Sequence, residues 1–146
     1  MAKPSCSRFL TLAVLTVVCM TASIGCTGYS KCKDLGEIAV GTFHEHFNNS
    51  EFEAIADDAH PELFTETTRE EIIELLSMVR SRFGRVNRSD QSNWNVQINR
   101  GVTNVTLSYQ TSFQTGPGTE SFGFLVESGK ARMLHYGIEG TQLQGE

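Results

Sequence analysis

The feature that most constrains this chain is a change of hydrophobic period at Gly84. Before it, apolar residues recur at helical spacing. Leu35, Ile38, Ala39, Phe43 and Phe47 make one stripe, and Asp34 is placed to cap a helix running to about Asn48. Ser50 opens a second, short helix whose core side is Phe52, Ile55 and Ala56, with Pro61 just beyond it. Ile72, Leu75, Leu76, Val79 and Phe83 line a third. That third helix starts at Thr68-Arg69-Glu70-Glu71, a capping box in which Thr68 and Glu71 satisfy each other's end of the turn. Gly84 follows as the residue able to take the left-handed conformation that ends a helix.

After Gly84 the period is two. Trp94, Val96 and Ile98 alternate with polar residues. Val105, Leu107, Tyr109, Thr111 and Phe113 do so over a longer run, then Phe122, Phe124 and Val126, then Leu134, Tyr136 and Ile138. Thr115-Gly116-Pro117-Gly118 and Ser128-Gly129 read as turns. Strands joined by short turns pair antiparallel, with one face packed and one wet. Helices first and strands second is the α+β pattern, and the helices must cover the sheet's apolar face.

The N-terminus carries a different message. Lys3 and Arg8 precede an apolar run from Phe9 that ends in Ser23-Ile24-Gly25-Cys26. The run is shorter than the roughly 20 residues a spanning helix needs, so it reads as a cleaved signal peptide, residues 1–25. Gly25-Cys26 resembles a bacterial lipobox, although Ser23 stands where an aliphatic residue is usual. That resemblance implies a lipid on Cys26 and a membrane anchor. The alternative is general signal cleavage, which leaves Cys26 free to pair with Cys32 in a soluble periplasmic or secreted protein. Residues 26–34 are short and polar and read as a tether, residues 35–138 as the domain, and the Gly- and Gln-rich residues 139–146 as a flexible tail.

Cleavage takes Lys3 and Arg8 with it. Ten of the twelve basic residues then stand against all seventeen acidic ones, a charge of −7. Such a domain is not expected to seek nucleic acid or anionic lipid heads by charge alone. Cys6, Cys19, Cys26 and Cys32 are the only cysteines, so the body has no disulfide framework and no thiolate nucleophile.

The element order resembles the nuclear-transport-factor-like, cystatin-like superfamily, and within it small exported bacterial domains of unknown function. The residues carrying this are Gly84, Tyr109, Phe113, Glu120, Phe122, Phe124, Gly129 and Tyr136-Gly137-Ile138. The resemblance implies N-terminal helices packed on a sheet curved into a cone. Members include isomerases, dehydratases, protein-binding modules and inhibitors, so the fold alone assigns no activity. The Gln-x-Val-x-Gly hairpin of cystatin inhibitors is absent, and neither acid of the ketosteroid isomerases can be aligned here.

Few residues suggest chemistry. His44 and His46 on the first helix are two apart and point about 200° away from each other, whereas one metal needs i and i+4. They read as solvated rim positions, and no metal, cofactor or catalytic residue is assigned. If the sheet curls, Tyr109 and one of His135 and Tyr136 line a pocket on its packed side. Arg80, Arg82, Arg85 and Arg88 read as a solvated basic run able to pair with Glu70, Glu71 and Glu74. Asn48, Asn87 and Asn104 each begin an Asn-x-Ser/Thr triplet. The expectation is an exported, lipid-anchored cell-envelope protein with a small binding or interaction domain. The alternative is an isomerase- or dehydratase-like enzyme with a cone-shaped pocket.

Overall fold

The computed structural model describes residues 27–143. The signal peptide and Cys26 lie outside the described residues. The order is α1 (Thr27–Asn49), α2 (Phe52–Asp58), a 3-10 turn (Pro61–Thr65), α3 (Arg69–Phe83), β1 (Val86–Asn99), β2 (Val102–Phe113), β3 (Gly116–Glu127), β4 (Lys130–Glu139) and a last 3-10 turn (Thr141–Leu143). The strands form one antiparallel meander in the order β1-β2-β3-β4. The helices pack on one face of it, and α1 touches all four strands. This is the α+β arrangement that the switch of period implies.

α1 begins at Thr27, so the segment expected to be a tether is its first two turns. Its buried stripe is Gly36, Val40, Phe43, His44 and Phe47. Ile38, expected on that stripe, is 66% exposed, because the face touching the sheet is rotated by one position. Gly36 is where helix and sheet approach most closely. A Cβ there would sit 3.1 Å from both Leu107 Cδ1 and Val105 Cγ1.

The helix ends on Ser50 at φ 61°. Ser50 N–H donates to Phe47 O and Glu51 N–H to His46 O, a Schellman closure with serine where glycine is usual. Ser50 therefore closes α1, and α2 starts at Phe52. The capping box on α3 forms as expected, with Thr68 Oγ1 accepting from Glu71 N–H and the Glu71 carboxylate accepting from Thr68 N–H.

The β2–β3 turn falls on Gln114-Thr115, two residues before the predicted Gly-Pro-Gly, since Phe113 pairs with Gly116. This turn closes the end of α3. Thr115 N–H and Oγ1–H both donate to Phe83 O, and Gln114 N–H donates to Arg85 O. Pro117 is tolerated in β3 because β4 begins to pair only at Thr119.

Two bulges curve β1, at Asn87 and Ser92, and a third lies in β4 at Leu134. Phe122 pairs with Tyr136 but Phe124 pairs with Met133, so Leu134 is the extra residue. Its effect is a change of parity. Ala131 and Met133 face inward before it and Tyr136 faces inward after it, and the expected packed position of Leu134 is taken by Met133. The residues after Glu139 also pack. Leu143 lies against the core, and a Cβ on Gly140 would sit 2.7 Å from Phe83, so the packed chain runs five residues beyond the expected domain end.

Candidate functional site

The concave face of the sheet is filled with rings. Phe43, Phe47, Phe113, Phe122, Phe124 and Tyr136 stack or meet edge to face, with Phe43 and Phe122 centroids 5.1 Å apart. A carboxyl side chain lies among them. Glu120, on the inward parity of β3 beside Phe122, has no solvent exposure.

Three side chains from three elements answer Glu120. Thr111 Oγ1 of β2 donates to Oε2 at 2.6 Å. His44 Nε2 of α1 lies 2.8 Å from the same oxygen. Tyr136 OH of β4 donates to Oε1 at 3.0 Å. A carboxylate only accepts, so Nε2–H of His44 is the donor and Nδ1 is left facing Ser89 Oγ at 3.4 Å. Burial, with the Glu120 charge beside it, pushes the Tyr136 hydroxyl well above its ordinary value. Tyr109 is raised as well, first by burial and then by Glu37, with its bond to Gln91 acting the other way.

The sequence assigned His44 to a solvated rim, and the structure corrects that. His44 is buried, at 9% exposure. Its neighbour of the same type, His46, points elsewhere and bonds Glu51 at 2.6 Å. The signal for His44 was present, since it stands four after Val40 and three before Phe47 on the buried stripe. Glu120 was equally marked by its parity with Phe122 and Phe124. Neither pattern says that the two meet, because 76 residues separate them.

Tyr109 and Tyr136 share the inner face and flank Glu120, on neighbouring strands to either side of β3. His135 does not join them. It stands exposed on the convex face, its ring 3.2 Å from where a Gly137 Cβ would lie. In the expected basic run, Arg88 finds a partner other than Glu70, Glu71 or Glu74. Arg88 pairs with Asp90 at 2.8 Å. Asn48 spends its amide on the backbone of Val86, accepting from its N–H at 2.8 Å and donating to its carbonyl at 3.0 Å. Among the described residues, no group of three His, Cys, Asp or Glu side chains is placed to hold a metal, and no helix is long and apolar enough to cross a membrane.

Open space lies outside the cone. A cavity of about 30 Å³, room for a water molecule, sits under α1 and α2 against Phe124 and Met133. It adjoins an open groove of about 650 Å³ between α1, α2 and the β3–β4 turn. Leu35, Ile38, Ala39, Ala54 and Ala131 supply the groove's apolar surface. Its rim charges are already matched. Asp57 pairs with Arg69 at 2.7 Å, and Asp58 pairs with Lys130.

Chemically, both oxygens of Glu120 accept from the protein's own donors, and neither the cavity nor the groove is lined by Glu120. Compared with known families and curated proteins, the chain matches no family model and no curated sequence.

Proposed function

We propose that this chain is an exported, lipid-anchored cell-envelope protein whose domain is a binding module. Its groove takes an apolar segment of a protein partner. The observation that carries this reading is where the space lies. The cone is filled by its own aromatic rings, and the ionisable groups inside it bond one another. Among the described residues, an open groove lies outside the cone, where Ile38 presents its side chain to solvent. With rim charges paired internally, recognition there rests on apolar contact rather than charge. The export and anchor parts rest on the N-terminal run and on Gly25-Cys26.

One observation favours the rival reading, an isomerase- or dehydratase-like enzyme. A histidine held by a buried carboxylate beside two tyrosines is a proton-transfer set. It would require the rings around Glu120 to open.

The test places a photoreactive side chain at Ile38, in the groove, and separately at Gln110, on the convex face, in cells making the full chain. The module reading expects a discrete partner adduct from Ile38, lost when A54R blocks the groove. An Ile38 adduct indifferent to A54R, or equal labelling from Gln110, refutes it. The intact mass of the mature chain tests the anchor, and a chain retaining residues 1–25 refutes export.

A further inference from the structure

Thr27, which follows Cys26 in the chain, is the first described residue and already belongs to α1, and α1 runs without interruption onto the sheet. Its position is fixed along its length. Asn48 bonds Val86 at the start of β1, Gly36 abuts Val105 and Leu107, and Lys33 Nζ lies 5.8 Å from the centre of the Trp94 ring. The N-terminus of α1 and the Arg100-Gly101 turn that joins β1 to β2 therefore lie at the same end of the molecule.

That end is unlike the rest of the surface. Six large hydrophobic residues are exposed among the described residues, and four of them are here: Tyr29, Trp94, Ile98 and Val102. Tyr29 continues the α1 stripe one turn beyond Lys33. Trp94 and Ile98 carry the inner face of β1 past the cover that α1 provides, each 49% exposed. Lys31, Lys33 and Arg100 stand among them, but Lys33 is paired with Glu37, which leaves Lys31 and Arg100 against Asp34 on a domain whose total charge is −7. Tyrosine and tryptophan with lysine and arginine beside them is the composition that settles at the headgroup level of a bilayer.

We propose that this end docks on the surface of an anionic bilayer. Tyr29, Trp94, Ile98 and Val102 enter the interface, and Lys31 and Arg100 face lipid phosphates. The inference rests on the anchored reading above. A lipid on Cys26 holds the first turn of α1 at the membrane, and α1 is too rigid to let the corner swing away. The groove, lined further along α1 and by α2, is then carried on a fixed side of the molecule relative to the membrane.

Trp94 is the only tryptophan, so it reports on this corner alone. The full chain is matured in cells, its mass is measured, and it is reconstituted into phosphatidylethanolamine/phosphatidylglycerol vesicles. Trp94 emission is expected to move to shorter wavelength, to be quenched by brominated acyl chains and to be shielded from aqueous iodide. The W94F/Q110W chain in the same vesicles should stay open to iodide. Replacing phosphatidylglycerol with phosphatidylcholine, or making K31Q/R100Q, should restore part of the iodide access. A chain that carries diacylglycerol yet leaves Trp94 open to iodide overturns the docking and spares the anchor. Shielding that rises with protein density instead of anionic lipid assigns the patch to a second copy and also overturns it. A mature mass without lipid overturns the anchor, and the docking with it.

Discussion

Replacing Glu120 with leucine probes the centre of the fold. The carboxylate is fully buried and accepts from Thr111, His44 and Tyr136. Leucine leaves those three donors without a partner, at about 1–3 kcal/mol each. Against that, burying the new apolar side chain returns about 1.5–3 kcal/mol. His44 keeps a small exposure, 11% of its side chain, which lets water soften its share. The net expectation is a loss of about 3–5 kcal/mol, the range seen when one member of a buried ion pair is removed. Domains of this kind have about 5–15 kcal/mol in total, so E120L should fold but with little reserve. Urea unfolding followed by far-UV circular dichroism reads this as a midpoint lowered by about 2 M, taking an ordinary denaturant slope. The decisive comparison is E120L/H44L/T111V/Y136F, which removes the donors along with the acceptor. It should recover to within about 2 kcal/mol of the parent, since a polar cluster exchanged whole for apolar groups costs little. E120Q, which keeps the shape, should fall between the two. If E120L lies within about 1 kcal/mol of the parent, or the quadruple variant is as unstable as E120L, the network is not what holds these strands and α1 together.

Two further outcomes follow from local geometry. Ser50 closes α1 in the left-handed region, so S50G should raise the thermal unfolding midpoint, with a gain of about 1 kcal/mol. Tyr136 has its ionisation raised from 10.0 by burial and by Glu120. The folded chain then holds the phenolic proton where the unfolded chain releases it. The Tyr136 contribution is therefore complete below pH 10 and is lost as the pH climbs above it. Urea midpoints across pH 8–11 should fall above about pH 10 in the parent and less steeply in Y136F, where the residual slope belongs to Tyr109. Equal slopes would assign the alkaline loss elsewhere.

The parts of this fold legible in sequence are those set by neighbours along the chain. The α3 capping box needs only Thr68 and Glu71, and the parity of Tyr109, Thr111 and Phe113 needs only β2 itself. What escaped was set by partners far away. The spacing of His44 from Val40 and Phe47 marks it as buried, but nothing near it names Glu120 as its partner. The Leu134 bulge depends on how β4 registers against Phe122 and Phe124, so its parity change is invisible in the alternation of Leu134, Tyr136 and Ile138. Residues 27–34 looked like a tether because they are polar, yet they continue a helix whose later turns are held by the sheet. The site was half legible. Tyr109 and Tyr136 were placed on the packed side, while the bond from Tyr136 to Glu120 depended on how β3 and β4 register.

α1 touches all four strands, and its His44 waits on Glu120, whose other oxygen waits on Tyr136. A chain that emerges N-terminus first therefore presents α1 long before its cover exists. The meander can pair hairpin by hairpin, since each turn is local, but the helix has nothing complete to lie on until β4 appears. Late closure of this kind favours a nascent chain that stays open until almost its last residues are out. An export pore that accepts only unfolded chains would find such a substrate easy to thread. A truncation just before β4 should leave a soluble fragment impossible to obtain, not a smaller version of the same domain.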